Sequence, residues 1–373
     1  MPRFLSRGAL LLGLGVLACE GEPRDFLPGP SNPGSGIARL ALRLGSSGAD
    51  EVVALAVDAS GAVFVTGTFS GSVDFDPSTR LAVVSSLGST DIFVAKYGPT
   101  HAFEWVARIG STGQEASRAI VLDPGGDVVI AGWFTGIPDF DPGATVFNLT
   151  SAGGRDGFVA RLSPEGTFRW ARRFGGASDD HLSSVALDGS TILIAGDFQG
   201  AVDGLPTGWG PVAAPGLGVD AVLLLMGSDG AAGPALPFGG SGEDRATSVA
   251  AAAGVVFVGG TFNTSVDFDP GPLPNSLTSV GAADAFLASF TVDGRFRWVG
   301  AFGGTTEDQI SRNGLSTTDD GSLLVAGWFT GSVDLDPGPG LATAETKGQE
   351  DLFVLRFDAF GTLVEGFTLG GTG

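Results

Sequence analysis

One pattern recurs along this chain and limits what it can fold into. A run of apolar residues ending in Gly-x-Phe appears five times, as AVFVTGTF (62–69), DVVIAGWF (127–134), TILIAGDF (191–198), VVFVGGTF (255–262) and SLLVAGWF (322–329). The terminal Phe residues are 65, 64, 64 and 67 positions apart. A fixed period of this length marks a repeat architecture, in which each copy is one supersecondary unit. The marker strands are apolar on both faces and therefore demand burial on both.

Around the marker each unit divides into four short strands. An opening strand such as VVALAVD (52–58) leads through a tight turn to the marker, and a longer connection carrying Val-Asp-Phe-Asp-Pro follows. A strand led by Asp comes next (Asp91, Asp156, Asp220, Asp284, Asp351), and the unit closes with a strand such as AFEWVARIG (102–110) or TFRWARRFGG (167–176). Four strands with doubly buried inner members, repeated at fixed period, predict an all-β fold, a β-propeller of four-stranded antiparallel blades. The units run over approximately 46–110, 111–175, 176–239, 240–303 and 304–373. IARLALRLG (37–45) also aligns with a closing strand, as does GTLVEGFTLGG (361–371), so the pattern predicts five blades plus one extra closing strand. A β-helix needs a shorter coil, and separate sandwiches of this size lack sufficient core.

The repeats resemble the bacterial β-propeller repeats called SBBP. The shared pattern is G-x-F-x-G-x-x-D-F-D-P, then D-x-F-V-A-K/R, then W-x-x-x-F-G-G, over residues 38–373. The resemblance implies an exported propeller with no assigned catalytic residues. It implies seven blades, where five units are visible here.

The first residues read as an export signal. Arg3 and Arg7 precede an apolar run, Gly8 to Ala18, which is too short to span a bilayer. Cys19, the only cysteine, follows Val-Leu-Ala and resembles the lipidated cysteine of a bacterial lipobox. Residues 1–18 are thus expected to be a signal peptide, and 19–36 a lipidated Cys with a Pro/Gly-rich tether before the propeller at 37–373. The expected location is exported, lipid-anchored to the bacterial outer membrane, and periplasmic or cell-surface. A formal charge of −21 disfavours nucleic acid as a partner. The membrane is met through the lipid, the chain is expected to be a monomer, and its ligand is a protein or a glycan.

Asp-x-Asp-Pro occurs as Asp74/Asp76, Asp139/Asp141, Asp267/Asp269 and Asp334/Asp336. Residues two apart on an extended chain point the same way, so each pair offers two hard oxygens to calcium. The competing reading is a turn in which Asp accepts backbone N–H groups. A second ring of acids, Asp50, Glu115, Asp180, Asp244 and Asp308, and a third formed by the strand-leading Asp residues suit corner hydrogen bonding. Trp105, Trp170 and Trp298 recur in closing strands and Trp133 and Trp328 sit in marker strands, as expected for packing between blades. Trp209, in the irregular part of unit three, is a candidate contact residue, as is His181 beside Asp179 and Asp180.

Catalytic equipment is sparse: His101 and His181 are the only histidines, and neither has metal-ligand spacing. The composition favours a non-catalytic binding or scaffold module at the cell envelope. Two alternatives remain, a glycan-acting lyase or hydrolase with carboxylates at the channel, and a calcium-stabilised surface protein.

Overall fold

The computed structural model describes residues 44–203, 212–269, 271, 273–318 and 320–372. Cys19, Trp209 and most of the predicted extra closing strand at 37–45 lie outside the described residues. The remainder is all-β, without a helix among the described residues, and forms a β-propeller of five antiparallel blades.

In the first blade the strands Glu51–Val57, Val63–Phe69, Asp91–Tyr97 and Phe103–Ile109 pair in chain order. The same four-strand order repeats over 115–176, 181–240, 245–304 and 308–369. The closing strand of the fifth blade is Leu363–Leu369, the segment predicted to close its unit.

The Gly-x-Phe signature has a steric origin. Each first strand carries a β-bulge, which brings its backbone over the marker glycine. A Cβ on Gly67, Gly132, Gly196, Gly260 or Gly327 would stand 1.9 to 2.2 Å from a carbonyl oxygen of that strand. Only glycine tolerates such an approach. The Phe two residues on is at most 1% exposed in every blade. It meets the Phe of Asp-Phe-Asp-Pro edge-on, with Phe69–Phe75, Phe134–Phe140 and Phe262–Phe268 at 5.7, 5.5 and 5.4 Å.

Three sheets contain six strands, not the expected four. In the third, fourth and fifth blades the connection after the marker strand, which carries Asp-x-Asp-Pro in every unit but the third, forms a small hairpin docked on the closing strand of the preceding blade. In the third blade Val202 and Asp203 pair with Gly176 and Gly175 of the second. Gly240 and Gly239 likewise receive Val266 and Asp267, and Gly304 and Gly303 receive Val333 and Asp334. The second blade makes only an isolated bridge there, Gly110 to Asp139, because Pro138 replaces the usual Val and has no N–H to donate.

Four apolar clusters form the core, each shared by two consecutive blades. A fifth belongs to the first blade, where Phe69, Phe75, Phe93 and Tyr97 gather with Leu44 against them. Among the described residues no cluster joins the fifth blade to the first. The outer side of the fifth blade exposes Leu352 and Phe367, at 52% and 56%, where the first blade buries Ile92 and Ala107.

Tryptophans on the closing strands lock neighbouring blades. Trp105 Nε1 donates to Pro164 O at 3.0 Å and Trp170 Nε1 to Ser228 O at 3.1 Å, each in the last turn of the next blade. That turn needs a glycine with positive φ, Gly166 at 80° and Gly230 at 79°, lying directly under the indole.

Candidate functional site

Most of the conspicuous acids are structural partners of the backbone. The strand-leading Asp91, Asp156, Asp220, Asp284 and Asp351 accept N–H groups from Leu87, Ala152, Gly216, Val280 and Lys347, four residues back, at 2.9 to 3.2 Å. Glu115, Asp180, Asp244 and Asp308 accept in the same way from Ser111, Gly176, Gly240 and Gly304 at 2.7 to 3.1 Å, and Asp50 from Ser46. Burial raises the pKa of several of them, Glu115 to about 7 and Asp180, Asp220 and Asp308 to about 6.

The Asp-x-Asp-Pro loops follow a similar rule. One oxygen of Asp74 accepts from Asp76 N at 3.1 Å and Ala82 N at 2.8 Å. Asp139, Asp267 and Asp334 repeat this with Asp141 and Phe147, Asp269 and Asn275, and Asp336 and Ala342. Asp76, Asp141, Asp269 and Asp336 each close an Asx turn two residues ahead, at 2.8 to 2.9 Å. Among the described residues no group of three or more His, Cys, Asp or Glu side chains gathers as a metal site would require.

A different set of positions stands out because it does not repeat. Where the first strand enters each blade, the register pairs Glu51 with Thr68, Ala116 with Trp133, His181 with Asp197, Arg245 with Thr261, and Gln309 with Trp328. The positions are structurally equivalent in five blades, yet the first-strand member differs in all five, and the marker-strand member is Thr twice, Trp twice and Asp once. The bulge residues beside them vary as well: Val53, Arg118, Ser183, Thr247, and in the fifth blade an insertion, Ser311 to Gly314. They surround the axis of the propeller at one mouth.

The side chains there form a connected group. His181 Nδ1 lies 3.2 Å from Asp197 Oδ1, which also receives Arg245 Nη1 at 2.7 Å from the next blade. The His181 ring stands edge-on to Trp133, centroids 6.2 Å apart. The Arg155 guanidinium lies 4.4 Å over the Trp133 ring, and that of Arg118 is 5.9 Å from it. Trp133 is 7% exposed, and its Nε1 is buried without a hydrogen-bond partner among the described residues. Asn313, at φ 54°, donates from Nδ2 to Arg118 O at 3.2 Å and so ties the insertion of the fifth blade to the second.

Of the residues singled out in the sequence, His181 and Trp133 lie in this group, and the calcium candidates lie in the connections after the marker strands. Arg118, Arg155, Asp197, Arg245 and Arg312 were not singled out, although unit-by-unit alignment shows their positions to be variable.

No protein-family model matches the chain. It is similar to the Regulatory protein FlaEY of Caulobacter vibrioides, 25% identical over 338 residues, which cover 84% of this chain and 34% of that protein. The chain thus spans about a third of the length of the curated relative it matches. The fold itself is that of a platform suited to a binding or scaffold module.

Proposed function

We propose that this protein is a non-catalytic binding module that engages its ligand at the variable mouth of the propeller. The observation that carries the reading is the division of labour between positions. Where blades must pack, the same residue type recurs; at one mouth, equivalent positions present Glu, Ala, His, Arg and Gln in turn. A scaffold has no need of such a mosaic, and a specific contact surface does. A regulatory role accords with the name of the Caulobacter protein.

The same reading places the module outside the cytoplasm, held by a lipid on Cys19 with residues 20–36 as its tether. The basic and apolar opening residues support it, as does the position of the one cysteine. Metabolic labelling with an alkyne fatty acid is expected to tag the wild type and not Cys19→Ser. Equal labelling of both would remove the anchor from the proposal.

Binding is tested by probing glycan and peptide arrays with the purified chain and with the triple variant His181→Ala, Arg245→Ala, Gln309→Ala. The expected result is a restricted set of hits that the triple variant loses while keeping its circular dichroism spectrum. Hits that survive the substitutions would move the contact surface elsewhere.

A further inference from the structure

The mouth described above contains a charge arrangement at odds with the rest of the protein. The chain has 41 acidic residues against 20 Lys and Arg. In such a chain a guanidinium readily finds a carboxylate, and Arg161, Arg173, Arg245 and Arg356 all do, at 2.9, 2.7, 2.7 and 3.3 Å. Arg118, Arg155 and Arg312 make no ion pair among the described residues, yet they are brought to the same place. Arg118 comes from the bulge of the second blade, Arg155 from the loop before that blade's third strand, and Arg312 from the insertion in the fifth blade.

Resting on the reading of this mouth as the contact surface, we propose that Arg118, Arg155 and Arg312 form a binding site for an oxyanion, a carboxylate or phosphate group carried by the ligand. Geometry supports it on two sides. Trp133 is a buried plate on which Arg155 stacks at 4.4 Å, with Arg118 at 5.9 Å, so two planar forks are held beside one rigid ring. The Asn313 bond to Arg118 O, at 3.2 Å, fixes the insertion that carries Arg312 against the same strand. The acids within reach do not complete the charge balance: Asp197 is already shared between Arg245 and His181, and Glu51 acts on both Arg118 and Arg312 without an ion-pair contact. Guanidinium groups favour carboxylate and phosphate because their donors match a pair of oxygens. Burial lowers the pKa of Arg118, and the charges of Arg312 and Arg155 lower it further, so these like charges repel until an anion arrives.

The test is isothermal titration of the purified chain with inorganic phosphate, sulfate and citrate, at constant ionic strength set with sodium chloride. Saturable binding of at least one of these is expected, weakened roughly tenfold or more in Arg312→Gln and in Arg155→Gln. Arg80→Gln, which changes an exposed arginine far from the mouth, should bind as wild type. Binding of phosphate alone identifies a phosphate ligand, and binding of citrate alone a carboxylate; both outcomes support the site. Arg312 is exposed on an insertion, so Arg312→Gln is expected to keep the wild-type melting temperature. Should it unfold, Arg155→Gln supplies the same comparison. Absence of saturable heat with all three anions, or unchanged affinity in folded variants, would overturn the inference. Array hits abolished by the triple variant in that same case would leave the binding-module reading standing without an oxyanion site.

Discussion

At the residue level, the glycines of this protein divide into those that permit a turn and those that permit a close approach. Gly166 does both: its φ is 80°, and a Cβ there would stand 2.9 Å from the Trp105 ring of the neighbouring blade. Gly166→Ala is expected to cost about 1–3 kcal/mol, read as a lower denaturant midpoint at unchanged slope. The aspartates of the Asp-x-Asp-Pro loops call for a different expectation. Each first Asp already accepts two backbone N–H groups within its own hairpin, as Asp74 does at 3.1 and 2.8 Å. Millimolar calcium is therefore expected to leave the melting temperature unchanged, while Asp334→Ala lowers stability by about 1–3 kcal/mol by orphaning those donors. A rise in melting temperature with calcium would show instead that these carboxylates ligate metal.

At the level of elements, the docking hairpin ties the third, fourth and fifth blades each to the one before it. Val266 is fully buried between the fourth blade's hairpin and the third blade's closing strand, whereas Val146, in the hairpin loop of the second blade, is 68% exposed. Val266→Ala is expected to lose about 1–2 kcal/mol in equilibrium unfolding, and Val146→Ala almost nothing. The four main strands of each blade were legible from the sequence because seven to ten residues are enough to display an apolar pattern. The hairpins were not, since strands of two or three residues carry no periodicity, and only the turn-forming Asp and Pro were visible. The mouth was hidden for a related reason. The repeat made Asp91 and its equivalents conspicuous because they recur, whereas Arg118 and Arg155 have different residues at the matching positions of the other units. A bulge leaves no trace in a single copy, although the insertion at Ser311 to Gly314 did show as the one spacing of 67 among spacings of 64 and 65.

For the molecule as a whole, the buried acids set the response to pH. Glu115 has a pKa near 7 in the fold against an ordinary 4.5, and Asp180, Asp220 and Asp308 near 6 against 3.8. Desolvation is the leading cause in each, so the folded chain binds protons more tightly than the unfolded chain between about pH 4 and pH 7. Stability contributed by these groups is present below that window and lost as pH rises through it. Thermal unfolding should accordingly show a melting temperature a few degrees higher at pH 5 than at pH 8, the reverse of ordinary acid denaturation. A melting temperature that falls steadily below pH 7 would mean that these carboxylates stay ionised in the fold.

The hairpins also mean that the unit of sequence and the unit of structure are out of step. The hairpins of the third, fourth and fifth blades are each encoded inside one repeat and seated on the previous one, so these blades overlap as roof tiles do. A cut at a repeat boundary, such as between residues 239 and 240, leaves the earlier blade without its cover and the later hairpin without its seat. A segment intended for transplantation, circular permutation or fusion must therefore end after the hairpin of the following repeat. The tiling also has a direction, from the C-terminal blade back onto the N-terminal one, so trimming from the two ends is not equivalent. Removal of the last blade uncovers Gly303 and Gly304 of the fourth, whereas removal of the first strands the hairpin of the second.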